Sequence, residues 1–453
     1  MDATENVKTK QPPALYLLAL TASLERFSYY GMRAFLIFYM ASAASNKLGG
    51  MGWSDGFSGK IYGIFTGLCY LTPLIGGYLA DRFIGERRSV MIGGILIMLG
   101  HFTCAIDNGI VPFISGLTLL VIGNGFFKPT VVTMVGDLYE QGDKRRDSAF
   151  TIYYMLFNVG VIFAPILCGS FSSEYGYRYG FIAAGVGMLI GLTIYAFIAQ
   201  KYLGELGKVP KQKKQQIIQK EKAPLTKEEL NRISVILVLL FFVTFFWAGY
   251  EQAGSTFNLY TERYIDRVIN LNIFNIIKLR EIPTTWLQSV NPIFVVALSP
   301  LFAWLWMALQ RKGKNPSTPV KMGLAFLFLG IGFLFMYGAV MQRGGDSSDI
   351  TVKASLFWLL ATYLFHTIGE LCISPIGLSM VTKLAPLKLA SVFMGVWFLS
   401  NFLANTISGF LVGFVSTLGA GTIFGMIAII MIVLGFIVFT ISRWLLKRMH
   451  GRD

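Results

Sequence analysis

Stretches of about 20 predominantly apolar residues recur along the whole chain, each long enough to cross a hydrocarbon core of about 30 Å as a helix. This repetition constrains the fold more than any other feature, because backbone groups left unpaired in lipid cost several kcal/mol each and only helices or closed barrels avoid that cost. About twelve helices are expected, near 13–42, 59–81, 88–106, 110–136, 147–171, 178–203, 232–260, 288–310, 320–341, 354–382, 389–415 and 419–446. Only 14% of the 453 residues are charged, against about 25% in a soluble domain, and 54% are hydrophobic. The opening MDATENVKTKQPP has no basic start running into a short apolar core, so no removable leader is expected and the first helix is retained.

The net charge of +15 raises nucleic acid as a partner, and the placement of the charges answers it. Basic residues gather in alternate loops: DRFIGERR at 81–88, DKRR at 143–146, the Lys-rich 201–232, RKGK at 311–314 and RWLLKRMHGR at the end. The loops between them carry few or none. That asymmetry is the positive-inside pattern, which places both termini and the long polar segment in the cytoplasm. Attraction to an anionic leaflet accounts for the charge, so lipid rather than nucleic acid is the expected neighbour. Cys69, Cys104, Cys168 and Cys372 all fall inside expected helices, far apart and without CxxC spacing, and read as small buried apolar residues.

The polar segment 204–231 divides the chain into helices 1–203 and 232–453. Thr226 and Glu229 within it have capping-box spacing. The two halves echo each other. GNGFFKPTVVTMVGDL at 123–138 and GELCISPIGLSMVTKL at 369–384 share Gly, then Pro six residues on, then Ser or Thr followed by Met-Val. LTPL at 71–74 and LSPL at 298–301 occupy corresponding helices two and eight. Paired proline interruptions in matching helices point to the central site of a transporter built from repeats. The expected fold is therefore all-α and integral to the membrane, two pseudo-symmetric six-helix bundles. The string GGYLADRFIGERR at 76–88 resembles the Gly-x-x-x-Asp-Arg-x-x-Gly-Arg-Arg loop of the major facilitator superfamily.

Within these apolar helices stand charges that cost at least about 2.5–3.5 kcal/mol each at the bilayer centre and so need a cavity or a partner. In ASLERFSYYGMRAFLIFYM (22–40), Ala22, Arg26, Tyr29 and Arg33 fall on one helical stripe with Tyr30 beside it. Glu25, Lys128, Glu251 and Glu370 complete the set. Lys128 and Glu370 lie in the two echoing segments, offering a cation on one half and a carboxylate on the other, which suits a zwitterion. Asn158, Asn291 and Ser374 add polar groups, and Tyr29, Tyr30, Tyr70 and Trp397 offer aromatic faces. Each Asn alone serves equally as interhelical glue worth about 1 kcal/mol. Tyr70 and Trp397 taken singly serve as packing or interface anchors. A permanent buried ion pair remains the alternative for the charges.

LERFSYYGMRAFL, GNGFFKPTVVTMVGDLY, FWAGYEQAGS and GELCISPIGLSMVTKLAP together resemble the proton-dependent oligopeptide transporters. The resemblance implies a secondary transporter importing di- and tripeptides by alternating access, with protons as coupling ion and no other cofactor. By it, Arg26 and Lys128 hold the peptide carboxylate, while Glu370 with Asn158 and Asn291 receives the amine. Arg33 and Glu251 form a gate or proton-linked pair, and the tyrosines and Trp397 line side-chain pockets. The family's first-helix motif, Glu-x-x-Glu-Arg, reads Ala22-Ser23-Leu24-Glu25-Arg26 here. With the first carboxylate missing, Glu25 and Glu251 are left to carry protons. The linker is too short and polar for the two extra helices that many bacterial members carry. A carrier of another small zwitterion or anion, uncoupled or differently coupled, is the alternative. An enzyme is not expected: His366 and Glu370 share a helical face without a clear third ligand, and neither GxSxG nor HExxH occurs. The protein is expected to work as a monomer in a bacterial inner membrane.

Overall fold

The computed structural model describes residues 10–106, 109–140, 143, 145–210, 225–273, 277–347, 349–386 and 389–451. The extreme N-terminus and the middle of the 204–231 linker lie outside the described residues. The long helices, in chain order, are α1 (Pro13–Ala41), α2 (Asp55–Leu79), α3 (Glu86–Cys104), α4 (Ile110–Asp137), α5 (Arg145–Glu174), α6 (Tyr177–Leu203) and α7 (Lys227–Tyr250). After the short α8 (Thr256–Tyr264) follow α9 (Val290–Arg311), α10 (Thr318–Gln342), α11 (Leu356–Leu384), α12 (Ala390–Leu418) and α13 (Ala420–Met449). Ten spans among the described residues are long and apolar enough to cross a membrane. The two other long helices are α1, with Glu25, Arg26 and Arg33 inside it, and α3, which begins Glu86-Arg87-Arg88.

Packing divides the chain into two compact units, Met1–Met32 with Thr72–Gln216 and Arg33–Leu71 with Ile217–Asp453. Glycines explain why α2 is shared. A Cβ on Gly63 would collide with the backbone of Gly409 and Asn405 on α12, and one on Gly76 with the Gly125 carbonyl of α4. Small residues at such contacts let helix backbones approach where no hydrophobic effect drives association. Thr72 donates to the Val121 carbonyl at 2.9 Å, fastening the inner end of α2 to α4. In the first unit, α3 and α4 meet through reciprocal close approaches at Gly93 and Gly123.

Two elements depart from the sequence reading. The span expected over 232–260 is broken: α7 ends at Tyr250, Glu251–Gly254 forms a 3-10 turn, and α8 resumes at Thr256. Side chains stitch the break. Gln252 donates to the Ala248 carbonyl at 3.3 Å and to Ser408 of α12 at 3.1 Å, and Gln288 donates to the Ala253 carbonyl at 2.7 Å. Irregular backbone at membrane depth persists where protein groups re-satisfy it. Between α8 and α9, where no helix was expected, the chain forms β1 (Ile265–Asp266), β2 (Val268–Ile273) and β3 (Ile277–Glu281). β2 and β3 pair antiparallel, and β1 pairs with β4 (Ala354–Ser355). Buried Arg267 organises this cap, donating to the Ile282 carbonyl at 2.7 Å and meeting Glu281 at 2.9 Å. The capping box at the start of α7 forms as its spacing predicts, with Thr226 and Glu229 bonded reciprocally at 2.9 and 3.2 Å.

Candidate functional site

The first unit assembles the cationic group. On α1, Glu25 is almost fully buried and lies 3.3 Å from Arg26 Nε. Its other oxygen, Oε1, has no hydrogen-bond partner among the described residues. The Arg26 guanidinium stands over the Phe157 ring of α5 at 5.5 Å. One turn on, Tyr29 places its ring 4.1 Å from Lys128 Nζ of α4, and Tyr30 meets Tyr29 edge-on at 5.3 Å. The ring quadrupole attracts a cation held over its face. Pro129 follows Lys128 directly and removes one rung of the α4 ladder there. Asn158 is buried and turned onto its own helix, donating to the Tyr154 carbonyl at 2.7 Å.

The second unit assembles a carboxylate group. Glu370 on α11 accepts from Tyr250 Oη at 2.5 Å and from Asn291 Nδ2 at 3.1 Å. Asn291, near the start of α9, also donates to Thr367 Oγ1 at 2.9 Å. Thr367 lies one turn before Glu370, so both groups reach Asn291 from one helical face. The helix break places Tyr250 toward Glu370 and the next residue, Glu251, onto Arg33 in a direct ion pair. Arg33 Nε donates to Tyr62 Oη of α2 at 2.7 Å. His366 sits among the rings of Phe257, Phe333 and Tyr250, at 5.6, 5.1 and 6.2 Å.

Arg26 and Tyr29 belong to the first unit, whereas Arg33 belongs to the second with its carboxylate partner. Of the two asparagines, Asn291 is placed with Glu370, while Asn158 lies in the first unit. Tyr70 is half-buried on α2, Ser374 is exposed on α11, and Trp397 is half-buried on α12. The Trp397 ring borders a small apolar niche lined by Leu240, Met322 and Val381. Sequence reasoning missed Phe157, Tyr250, Thr367 and Tyr62, which hold the charged groups in place. Two of them adjoin singled-out residues, Phe157 before Asn158 and Tyr250 before Glu251, so proximity was the available signal.

Two compact helical units, membrane-length helices interrupted at charges and prolines, and a span broken at a carboxylate define a multi-pass membrane carrier of the major-facilitator type. The POT family model matches residues 87–204 and 197–424. The chain is 35% identical to the uncharacterized transporter YclF of Bacillus subtilis, covering 97% of this chain and 95% of that one. It is 34% identical to the peptide transporter YePEPT of Yersinia enterocolitica, covering 89% and 88%. A solved structure of a mutant peptide transporter POT in complex with alafosfalin matches with a TM-score of 0.88 at 32% identity, over 98% of this chain and 97% of that one. The chain belongs to the POT family.

Proposed function

We propose that this protein imports di- and tripeptides by alternating access, coupled to protons. The observation that carries the reading is the chemistry that each unit holds by itself. Arg26 and Lys128 set two cations in the first unit, the charge that suits a peptide carboxylate, and Glu370, oriented by two hydrogen bonds, sets a carboxylate in the second, the charge that suits an ammonium. Peptides of any sequence share those two termini, so recognition rests on them and side-chain selectivity is broad. Likeness to chains named as peptide transporters supports this substrate class over an enzymatic role.

In the proposed cycle, two carboxylates carry protons. Glu25 is buried, and its Oε1 has no hydrogen-bond partner among the described residues. Glu251 is paired with Arg33, and protonating it removes the charge that holds Arg33. No cofactor other than the coupling ion enters the cycle. The protein acts as a monomer in a bacterial inner membrane, surrounded by lipid, with both termini cytoplasmic as the basic loops indicate. The test is uptake of labelled dialanine into proteoliposomes with and without an inward proton gradient. Gradient-driven accumulation competed by unlabelled dipeptide is expected. Equilibration without accumulation removes the proton coupling, and absence of competable flux removes the substrate class.

A further inference from the structure

Outside the charged half-sites, the first unit carries a lipid-facing slot of about 540 Å³ between α5 and α6, floored by α1. Its walls run from Val159 to Phe171 on α5 and from Tyr179 to Ile190 on α6. At 1.5 Å per residue this is roughly 18 Å, about half of a 30 Å hydrocarbon core. One end opens at the turn joining α5 to α6, where helix termini meet the headgroup level. The other end closes near mid-membrane, where α1 seals it. A Cβ on Gly160 would collide with the Ser23 backbone, and one on Gly187 with the Phe27 ring. Phe163, Leu167 and Val186 on the walls are 52%, 47% and 40% exposed.

A partner transmembrane helix needs the full membrane depth, whereas this slot spans one leaflet. Between Phe171 and Tyr179, which line the slot, the chain carries exposed Glu174 at the end of α5 and exposed Arg178 in the first turn of α6. Tyr175 lies tilted to Phe171 and edge-on to Tyr179, 6.1 Å from each. Carboxylate and guanidinium together complement a headgroup bearing both an ammonium and a phosphate, and tyrosines favour that interfacial level. We propose that the slot is a binding site for one acyl chain of a zwitterionic phospholipid, phosphatidylethanolamine in class, with its headgroup at Glu174 and Arg178. This inference goes beyond the transport reading and holds whichever solute is carried. The floor is the α1 turn of Leu24 and Phe27, the same turn that carries Glu25 and Arg26, so an occupied slot braces the cationic half-site from behind.

The experiment is photo-crosslinking in proteoliposomes with phosphatidylethanolamine bearing a diazirine in mid-chain, mapped by peptide mass spectrometry. Labelling of the α5–α6 walls is expected to exceed that of the equally exposed apolar face of α13 at Ile429, Val433 and Phe436 several-fold. Val186→Phe, a surface change that fills the slot, is expected to remove the excess. Ala183→Trp serves as the second blocking variant, and a monodisperse size-exclusion profile in detergent checks that either remains assembled. Even labelling across the lipid-facing helices, or an excess that both blocking variants leave intact, overturns the site. A matched diazirine phosphatidylglycerol that labels the walls as strongly overturns the headgroup assignment. Crosslinks joining the walls to a second polypeptide overturn the lipid as occupant.

Discussion

The two units hold their charges with different emphasis, ring faces joining the Glu25 carboxylate 3.3 Å from Arg26 in the first and directed polar partners prevailing in the second. In the first unit, Arg26 and Lys128 lie over the rings of Phe157 and Tyr29, at 5.5 and 4.1 Å. In the second, Glu370 and Glu251 are fixed by directed partners, Tyr250 and Asn291 for one and Arg33 for the other. A cation over a ring gains about 0.5–2 kcal/mol and keeps orientational freedom. A hydrogen bond to a charged group contributes about 1.5–3 kcal/mol and fixes direction. The difference suits the two ends of the proposed substrate. A carboxylate accepts donors arriving along several lone-pair directions, whereas a terminal ammonium must find an acceptor already aimed.

The largest expected effects come from removing either charge outright. Lys128→Ala and Glu370→Ala are each expected to lower peptide uptake on the order of 100-fold or more, about 3 kcal/mol, while the purified protein stays folded and monodisperse. Uptake like that of the unaltered protein in both variants would sink the half-site assignment. Next comes Arg33→Ala, which leaves the buried Glu251 carboxylate without its cation. Breaking a buried pair on one side costs about 3–5 kcal/mol, so a clear fall in thermal stability in detergent is expected. Replacing both partners, Arg33→Met with Glu251→Gln, is expected to recover much of that stability while abolishing accumulation against a gradient. Equal stability of the single and double variants would show that the pair is not structural.

A finer comparison separates the two holding modes. Tyr250→Phe removes one directed bond to Glu370 and is expected to reduce apparent peptide affinity about 10-fold or more. Phe157→Leu keeps apolar volume near Arg26 but removes the ring face, and about 3-fold is expected. Measured by competition with dialanine, equal losses would erase the contrast between directed and diffuse holding.

Much of this was legible in the sequence because the membrane imposes simple rules. The long helices, the charges inside them and the echo between the segments that carry Lys128 and Glu370 follow from length, cost and repetition. The break in the seventh span was hidden because hydropathy stays high through FWAGYEQAGS, and only the stitching by Gln252 and Gln288 makes it tolerable. The hairpin over 268–281 was hidden because its alternation is short and lies between two stronger helical signals. The structure pairs Arg33 with Glu251, the partner that the family resemblance implies for it. A stripe on an isolated helix records which residues share a face, not which neighbours lie beside each turn.

The smallest expected effect addresses the residue that departs from the family motif. Ala22 is 2% exposed and lies one turn before Arg26. A Glu at that position precedes Arg26 by four residues, the favourable order for a helical ion pair, worth about 0.2–0.5 kcal/mol in isolation. Ala22→Glu is therefore expected to change dipeptide affinity less than about 3-fold. Its informative readout is the pH profile of uptake. The added carboxylate competes with Glu25 for Arg26, and proton binding becomes shared between two coupled groups. A displaced or broadened pH dependence is the expected result, with Ala22→Gln as the uncharged control of similar size. If both variants fold and give the same profile as the unaltered protein, position 22 does not communicate with the cationic half-site. Proton coupling through the first unit then rests on Glu25 alone, in contrast to the second unit, where Glu251 already has Arg33 to release.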